Sequence, residues 1–217
     1  MRNIVMKIAI LISGRGSNMA ALAECEERFD ICLVAADRAA AGLDSAAQKG
    51  YKTALIDRKN YLTKTEHEEA LATEIAAHDP DWIILAGYMS VLSETFINRF
   101  NGRVVNIHPS LLPDYKGLNT HARVLADKQT HHGVSVHLVT AALDDGPLLA
   151  QIKLAIDQND TETSLAQRVL ELEHQLYPAV IAALSEGAVL IDGKNVRWSA
   201  TERLRTITGG VVCFPQL

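Results

Sequence analysis

The sequence predicts a doubly wound α/β fold with a mostly parallel sheet and a long C-terminal helix. Three observations carry this. Short apolar runs alternate with longer helix-like segments through the first hundred residues. Those runs are continuously apolar rather than alternating, as expected of strands covered on both faces. The first run leads straight into Ser13-Gly14-Arg15-Gly16-Ser17, a glycine turn that hands a strand to a helix. Strands and helices in strict alternation imply a parallel sheet.

Lys7–Ile12 reads as the first strand and Ser17–Glu27 as the first helix. The next strands are Ile31–Ala36, Lys52–Ile56, Trp82–Ala86 and Val104–His108. Between them lie helices over Leu43–Lys49, with Gly50 as C-cap, Lys64–His78 and Ser93–Phe100. After residue 120 the pattern changes. Thr120–Lys128 is helical, then Val134–Val139 and Leu148–Ile156 are strands joined through Ala141–Gly146. A long amphipathic helix follows from Glu162 to about Ser185. Thr161 is placed to cap it, and Pro178 is expected to kink it. The tail after Gly187 shows no readable pattern. The chain is expected to form a single domain over 1–217, with halves at about 6–100 and 101–217.

The 217 residues suffice for a sizeable core. Net charge is −5 with both signs scattered and no basic run, which argues against nucleic acid as the main ligand. Small anions remain suitable ligands, since backbone amides can hold phosphate. Cys25, Cys32 and Cys213 show no CxxC or ligand-like spacing, so a reducing cytoplasm is the simplest compartment. The apolar run Ile8–Ile12 is too short for a signal peptide, and no stretch approaches membrane-spanning length. No metal is expected: His131 and His132 are adjacent, diverge in direction, and have no suitably spaced Cys or acidic partner.

Two features point to chemistry. The glycine turn and the helix start after it offer free N–H groups that favour phosphate. A dinucleotide fingerprint would need glycine where Met19 stands, although Asp37 lies where an acidic ribose ligand would. A mononucleotide phosphate site and a plain tight turn capped by Ser17 both fit. Asn106 and His108 are alternate residues of one strand and project together; Pro109 then stops the ladder. Asp144 also follows a strand. An imidazole moves protons near neutral pH, a carboxylate orients and charges it, and an amide N–H meets an oxyanion. That set suits formyl or acyl transfer to an amine through a tetrahedral intermediate. Read blandly, His108 is a satisfied structural group and Asp144-Asp145-Gly146-Pro147 only a turn. His137 reads as structural or as lining the pocket, Lys116 as solvated, and Glu66, Glu68, Glu69, Glu171 and Glu173 as wet helix faces.

Taken together, Ser13–Asn18, Leu85-Ala86-Gly87-Tyr88-Met89, Asn106–Pro113, Gly133–His137, Leu143–Pro147 and Glu173-His174 before Tyr177-Pro178 make the chain resemble the phosphoribosylglycinamide formyltransferase family. The resemblance implies a Rossmann-like formyltransferase fold in a cytoplasmic enzyme of purine biosynthesis, monomeric or homodimeric, acting on small molecules. In that family the amine of glycinamide ribonucleotide attacks the formyl carbon of the co-substrate 10-formyltetrahydrofolate. Carried over, Asn106, His108 and Asp144 are catalytic. His108 and Asn106 meet the oxyanion; Asp144 organises His108 and assists proton transfer through water. Gly16, Ser17, Asn18, Met19, Pro109 and Glu173 would bind the nucleotide, in part from the N-terminal half. Lys64, Met89, Ser90, Val91, Leu92, Asn106, Thr140, Ala141, Ala142, Leu143 and Asp144 would bind folate, Lys64 meeting its anionic part.

Some positions depart from the family pattern. Ser90 and Lys64 stand where arginine is common, which weakens or redirects contacts to the glutamate end of folate. Leu138 replaces a frequent aromatic, and Ala141-Ala142 is less acidic than usual. Among relatives with the same chemistry, a formyltetrahydrofolate deformylase is expected to carry an N-terminal domain, whereas the first strand here starts near residue 6. Methionyl-tRNA formyltransferase is expected to carry an RNA-binding C-terminal domain and a more basic surface. A sugar-nucleotide formyltransferase is expected to lack the Ser-Gly-Arg-Gly-Ser-Asn loop. A non-catalytic binding protein on this fold would not need the Asn106, His108 and Asp144 set.

Overall fold

The computed structural model describes residues 5–25, 27–199 and 207–214. The chain divides into two compact units, residues 1–106 and 107–217.

The first unit is the doubly wound half. Its elements are β1 (Lys7–Ile12), α1 (Ser17–Ala23), β2 (Asp30–Ala36), α2 (Ala41–Gln48), β3 (Thr53–Leu55), a 3₁₀ turn (Arg58–Asn60), α3 (Lys64–Ala76), β4 (Trp82–Leu85) and α4 (Glu94–Arg99). β5 (Val104–His108) begins here and ends in the second unit. The strands run parallel in the order β5-β4-β1-β2-β3. Ile8 to Ile12 and Val34 to Ala36 are fully buried, as continuous apolar strands require. Strand order reverses between β1 and β4, so their carboxyl ends mark the switch point where ligands bind in such sheets.

The second unit is antiparallel. It contains α5 (Thr120–Ala126), β6 (His131–Leu138), β7 (Leu148–Ala155), α6 (Glu162–Ser185), β8 (Val189–Asp192), β9 (Asn195–Trp198) and β10 (Val211–Cys213). β7 pairs with β6 on one side and β10 on the other; β8 and β9 form a separate hairpin. α6 packs on β6 and β7 through Leu165, Val169, Leu172, Leu176 and Val180, a helical stripe of fully or nearly buried residues.

The predicted fold class holds, with local differences. β1, β5 and α6 have the predicted bounds, but α1 stops at Ala23. Glu24, Cys25 and Glu27 lie in turns, with Cys25 N–H donating to Leu22 O, an i→i−3 bond that tightens the helix end. Residue 26 of the predicted helix lies outside the described residues. Ser17 is not the cap: Gly16 is, at φ 77°, with no side-chain cap bond. β6 begins three residues before its apolar run, because backbone pairing with β7 starts at His131 whatever the side chains are. Helix α6 runs unbroken through Pro178, and Thr161 caps it in a box with Ser164. Glu68 does not lie on a wet face. It is buried, accepting from Ser93 N–H at 3.0 Å and from the Ser93 hydroxyl, which itself caps α4.

Candidate active site

The first unit supplies the glycine loop. Gly16 adopts a left-handed φ that L residues disfavour, and Gly42 at the start of α2 comes within 3.1 Å of where a Gly16 Cβ would stand. Gly42 N–H donates to Gly14 O at 3.1 Å. Ser17, Asn18 and Met19 are the first three helical positions, whose N–H groups have no carbonyl partner within the helix. Met19 is wholly buried.

Asp37 is occupied by the protein itself. It accepts from Ser13 Oγ (2.7 Å), Ser90 Oγ (2.6 Å) and both Arg38 Nε and Nη2 (3.0 Å each). Burial raises its pKa, but hydrogen bonds from Arg38, Ser90 and Ser13 outweigh this and hold the carboxyl below its ordinary value. The alternative in which Asp37 holds a ribose is thereby overturned. On the neighbouring segment Met89 and Val91 are exposed and Leu92 is buried. Lys64, at the first position of α3, lies 3.5 Å from Glu68.

β5 carries Asn106, half-buried, and His108, buried, on one side of the strand. The structure brings His108 and Asp144 together: Nδ1 lies 3.4 Å from Asp144 Oδ2, and both side chains are only 8% exposed. Nε2 faces Tyr115 O at 3.0 Å. Both ring nitrogens therefore face acceptors, and a doubly protonated ring satisfies both where a neutral one satisfies a single acceptor. Gly117 N–H donates to Asp144 Oδ2 at 2.9 Å. Arg123 holds the intervening loop, donating to Lys116 O at 2.7 Å and lying over the Tyr115 ring. Asp144 has φ 47°, and Gly146 follows where a Cβ would fall 1.8 Å from Leu138 O. Only glycine lets the chain pass there, and that passage delivers Asp144 to His108. Lys116 is not simply solvated; it pairs with Asp145.

Sequence reasoning undervalued His137. Its Nε2 lies 3.7 Å from Asp144 Oδ1, while Nδ1 donates to Leu138 O at 2.8 Å. Burial lowers its pKa, with the Leu138 carbonyl and Asp144 acting in opposition. The available signal was register: Gly133, Ser135 and His137 alternate on β6. Ser135 Oγ donates to Ser110 O (2.6 Å) and accepts from Leu112 N–H (3.0 Å), fixing the segment after β5. Of the remaining predicted residues, Pro109 follows His108 directly, and Glu173 is buried on α6. Thr140 Oγ1 donates to Ala142 O at 3.2 Å, and Ala141, Ala142 and Leu143 are exposed. Among the described residues no group of three His, Cys, Asp or Glu could hold a metal ion, and no helix is long and apolar enough to cross a membrane.

A family model described as formyl transferase matches residues 6–181. Phosphoribosylglycinamide formyltransferase of Escherichia coli is 37% identical over 92% of this chain and 96% of its own length. That of Haemophilus influenzae is 38% identical, over 83% and 88%. A solved phosphoribosylglycinamide formyltransferase from Coxiella burnetii superposes with a TM-score of 0.86 at 41% identity, covering 89% of this chain and 93% of the other. A doubly wound unit with a glycine loop, followed by a buried His–Asp pair, on a sequence this similar, places the chain in the phosphoribosylglycinamide formyltransferase family.

Proposed function

We propose that His108, Asp144 and Asn106 carry the transfer of the formyl group of 10-formyltetrahydrofolate to the amine of 5′-phosphoribosylglycinamide. The products are formylglycinamide ribonucleotide and tetrahydrofolate, in purine biosynthesis. The observation that carries this reading is the His108–Asp144 pair, nearly buried and backed by the Gly117 amide. The substrate amine forms a bond to the formyl carbon as the carbonyl electrons move to oxygen. N–H groups of Asn106 and of His108, the latter turned from the Tyr115 carbonyl, meet that oxyanion, where a low-dielectric site makes them strongest. Asp144 supports the charged imidazole and, through water, takes the proton released by the attacking nitrogen. The carbon–N10 bond then breaks and N10 gains a proton. Since N–H donors meet the oxyanion, no metal enters this scheme.

Gly16, Ser17, Asn18 and Met19 hold the nucleotide phosphate, Pro109 borders the nucleotide, and Glu173 holds the glycinamide end. Met89–Leu92 and Thr140–Asp144 hold folate, with Lys64 meeting its anionic part. The scattered charge of −5 supports small-molecule partners rather than nucleic acid. A cytoplasmic monomer or homodimer fits the cysteine usage and the absence, among described residues, of a membrane-crossing helix.

Absorbance-monitored loss of 10-formyltetrahydrofolate, with and without glycinamide ribonucleotide, tests the reading. Turnover is expected only with the nucleotide, and His108→Ala and Asp144→Asn are expected to lower kcat at least ~10²-fold. Turnover without nucleotide would make the protein a hydrolase. Full turnover in both variants would remove His108 and Asp144 from the chemistry.

A further inference from the structure

Asp37 stands just past the end of β2, and its two oxygens accept four hydrogen bonds: Ser13 Oγ and Arg38 Nε on one, Ser90 Oγ and Arg38 Nη2 on the other. An ionised carboxylate has about four lone-pair sites, so no capacity is left for a ligand. What those bonds hold is more telling. The Ser13 hydroxyl that donates to Asp37 also accepts from Met89 N–H at 2.9 Å, and Ser13 N–H donates to Gly87 O at 3.1 Å. Ser90 gives its hydroxyl to Asp37, and Ser93 N–H is held by Glu68. The segment from Gly87 to Ser93 is thus held at Gly87, Met89, Ser90 and Ser93, while Met89 and Val91 remain 61% and 51% exposed. An exposed apolar pair on a fixed backbone is a docking edge for a flat ring. Ser13 is also the residue directly before the glycine loop, so one carboxylate ties together the two segments flanking the β1–β4 switch point.

We infer that Asp37 is a positioning residue, which fixes the Met89–Leu92 segment against the end of β1 and so sets folate binding. The inference rests on the folate reading of that segment. The direction of the hydrogen bonds explains the choice of residue. The chain Met89 N–H to Ser13 Oγ–H to Asp37 needs an acceptor-only group at its end. An amide at position 37 would point its NH₂ at Ser13 and Arg38 Nε in one orientation and at Ser90 and Arg38 Nη2 in the other, so a donor would meet an Arg38 N–H either way. Ser90, where an arginine would itself reach for an anion, here gives its hydroxyl to Asp37.

The test is steady-state kinetics on the full chain, varying 10-formyltetrahydrofolate and glycinamide ribonucleotide in turn, for Asp37→Asn, Ser90→Ala, Ser90→Thr and Val91→Asp. Asp37→Asn and Ser90→Ala are expected to raise the folate KM roughly tenfold, the size of one lost charge-assisted hydrogen bond. That loss falls in KM rather than kcat, and in Ser90→Ala the nucleotide KM moves much less than the folate KM. Ser90→Thr keeps the hydroxyl and is expected to bring the folate KM back to within about twofold of the parent. If Asp37→Asn does not fold, the Ser90 pair decides. A threonine variant as impaired as the alanine variant, or a fall in kcat at unchanged KM, would overturn the inference. So would an unchanged folate KM in Ser90→Ala while Val91→Asp raises it, a result that leaves the folate reading standing. An unchanged folate KM in both Ser90→Ala and Val91→Asp would overturn the folate reading, and this inference with it.

Discussion

Two imidazoles share one carboxylate at Asp144, yet they are not equivalent. His108 is positioned by groups on both sides, whereas His137 turns Nδ1 back onto the Leu138 carbonyl. A second pair lies nearby in sequence: His121 Nδ1 and His132 Nε2 are 3.1 Å apart, and His132 is buried. Burial first, then His121 and His108, push the His132 pKa down to about 4, against an ordinary 6.5. The folded protein therefore refuses a proton that the unfolded chain accepts. Between pH 6.5 and 4 the unfolded state binds more protons, so this contribution is fully present above 6.5 and is lost as pH falls toward 4. Denaturant titrations at pH 7 and pH 4 are expected to differ by about 3 kcal/mol from this residue, and His132→Gln is expected to remove that part of the slope. At this scale the sequence made the His108–Asp144 partnership legible, because His108 ends a strand, Asp144 follows one, and the two carry complementary chemistry. Glu68 was misjudged because it looks ordinary in its own element; what distinguishes it is Ser93, far along the chain.

Among the helices, α6 was the most legible, its apolar stripe long enough to fix both ends. Thr161 accepts from Ser164 N–H at 3.1 Å, and Ser164 Oγ accepts from Thr161 N–H at 2.9 Å. Thr161→Ala is expected to cost ~1 kcal/mol, seen as a lower melting temperature at unaltered kcat, since this end of α6 carries none of the proposed site residues. The shortest elements were the hardest to read. β8, β9 and β10 have three or four residues each, below the length at which alternation rises above chance, and their existence rests on pairing rather than on pattern. The α1 end was overrun for the converse reason: Glu24 and Cys25 suit a helix well enough, and a local i→i−3 bond closes it.

For the molecule as a whole, the two units use different architectures. Parallel strands in the first were legible as continuous apolar runs, and their switch point locates the glycine loop and the Gly87–Ser93 segment. The antiparallel second unit showed itself only as a change of pattern after residue 120. If phosphate recognition belongs to the loop of the first unit, the two ligands should separate in calorimetry. Ser17 and Asn18 substitutions are expected to weaken glycinamide ribonucleotide binding about tenfold while folate binding changes little. Equal weakening of both would contradict that division.

Gly146 also bears on how such a sequence can drift or be redesigned. The exposed positions 141–143 can vary freely in size and charge without touching the backbone course that follows. Position 146 has no such latitude, because any side chain would run into the Leu138 carbonyl. A library built to alter folate recognition should spread its diversity over the loop and keep that one glycine invariant, since its loss displaces Asp144 two residues earlier.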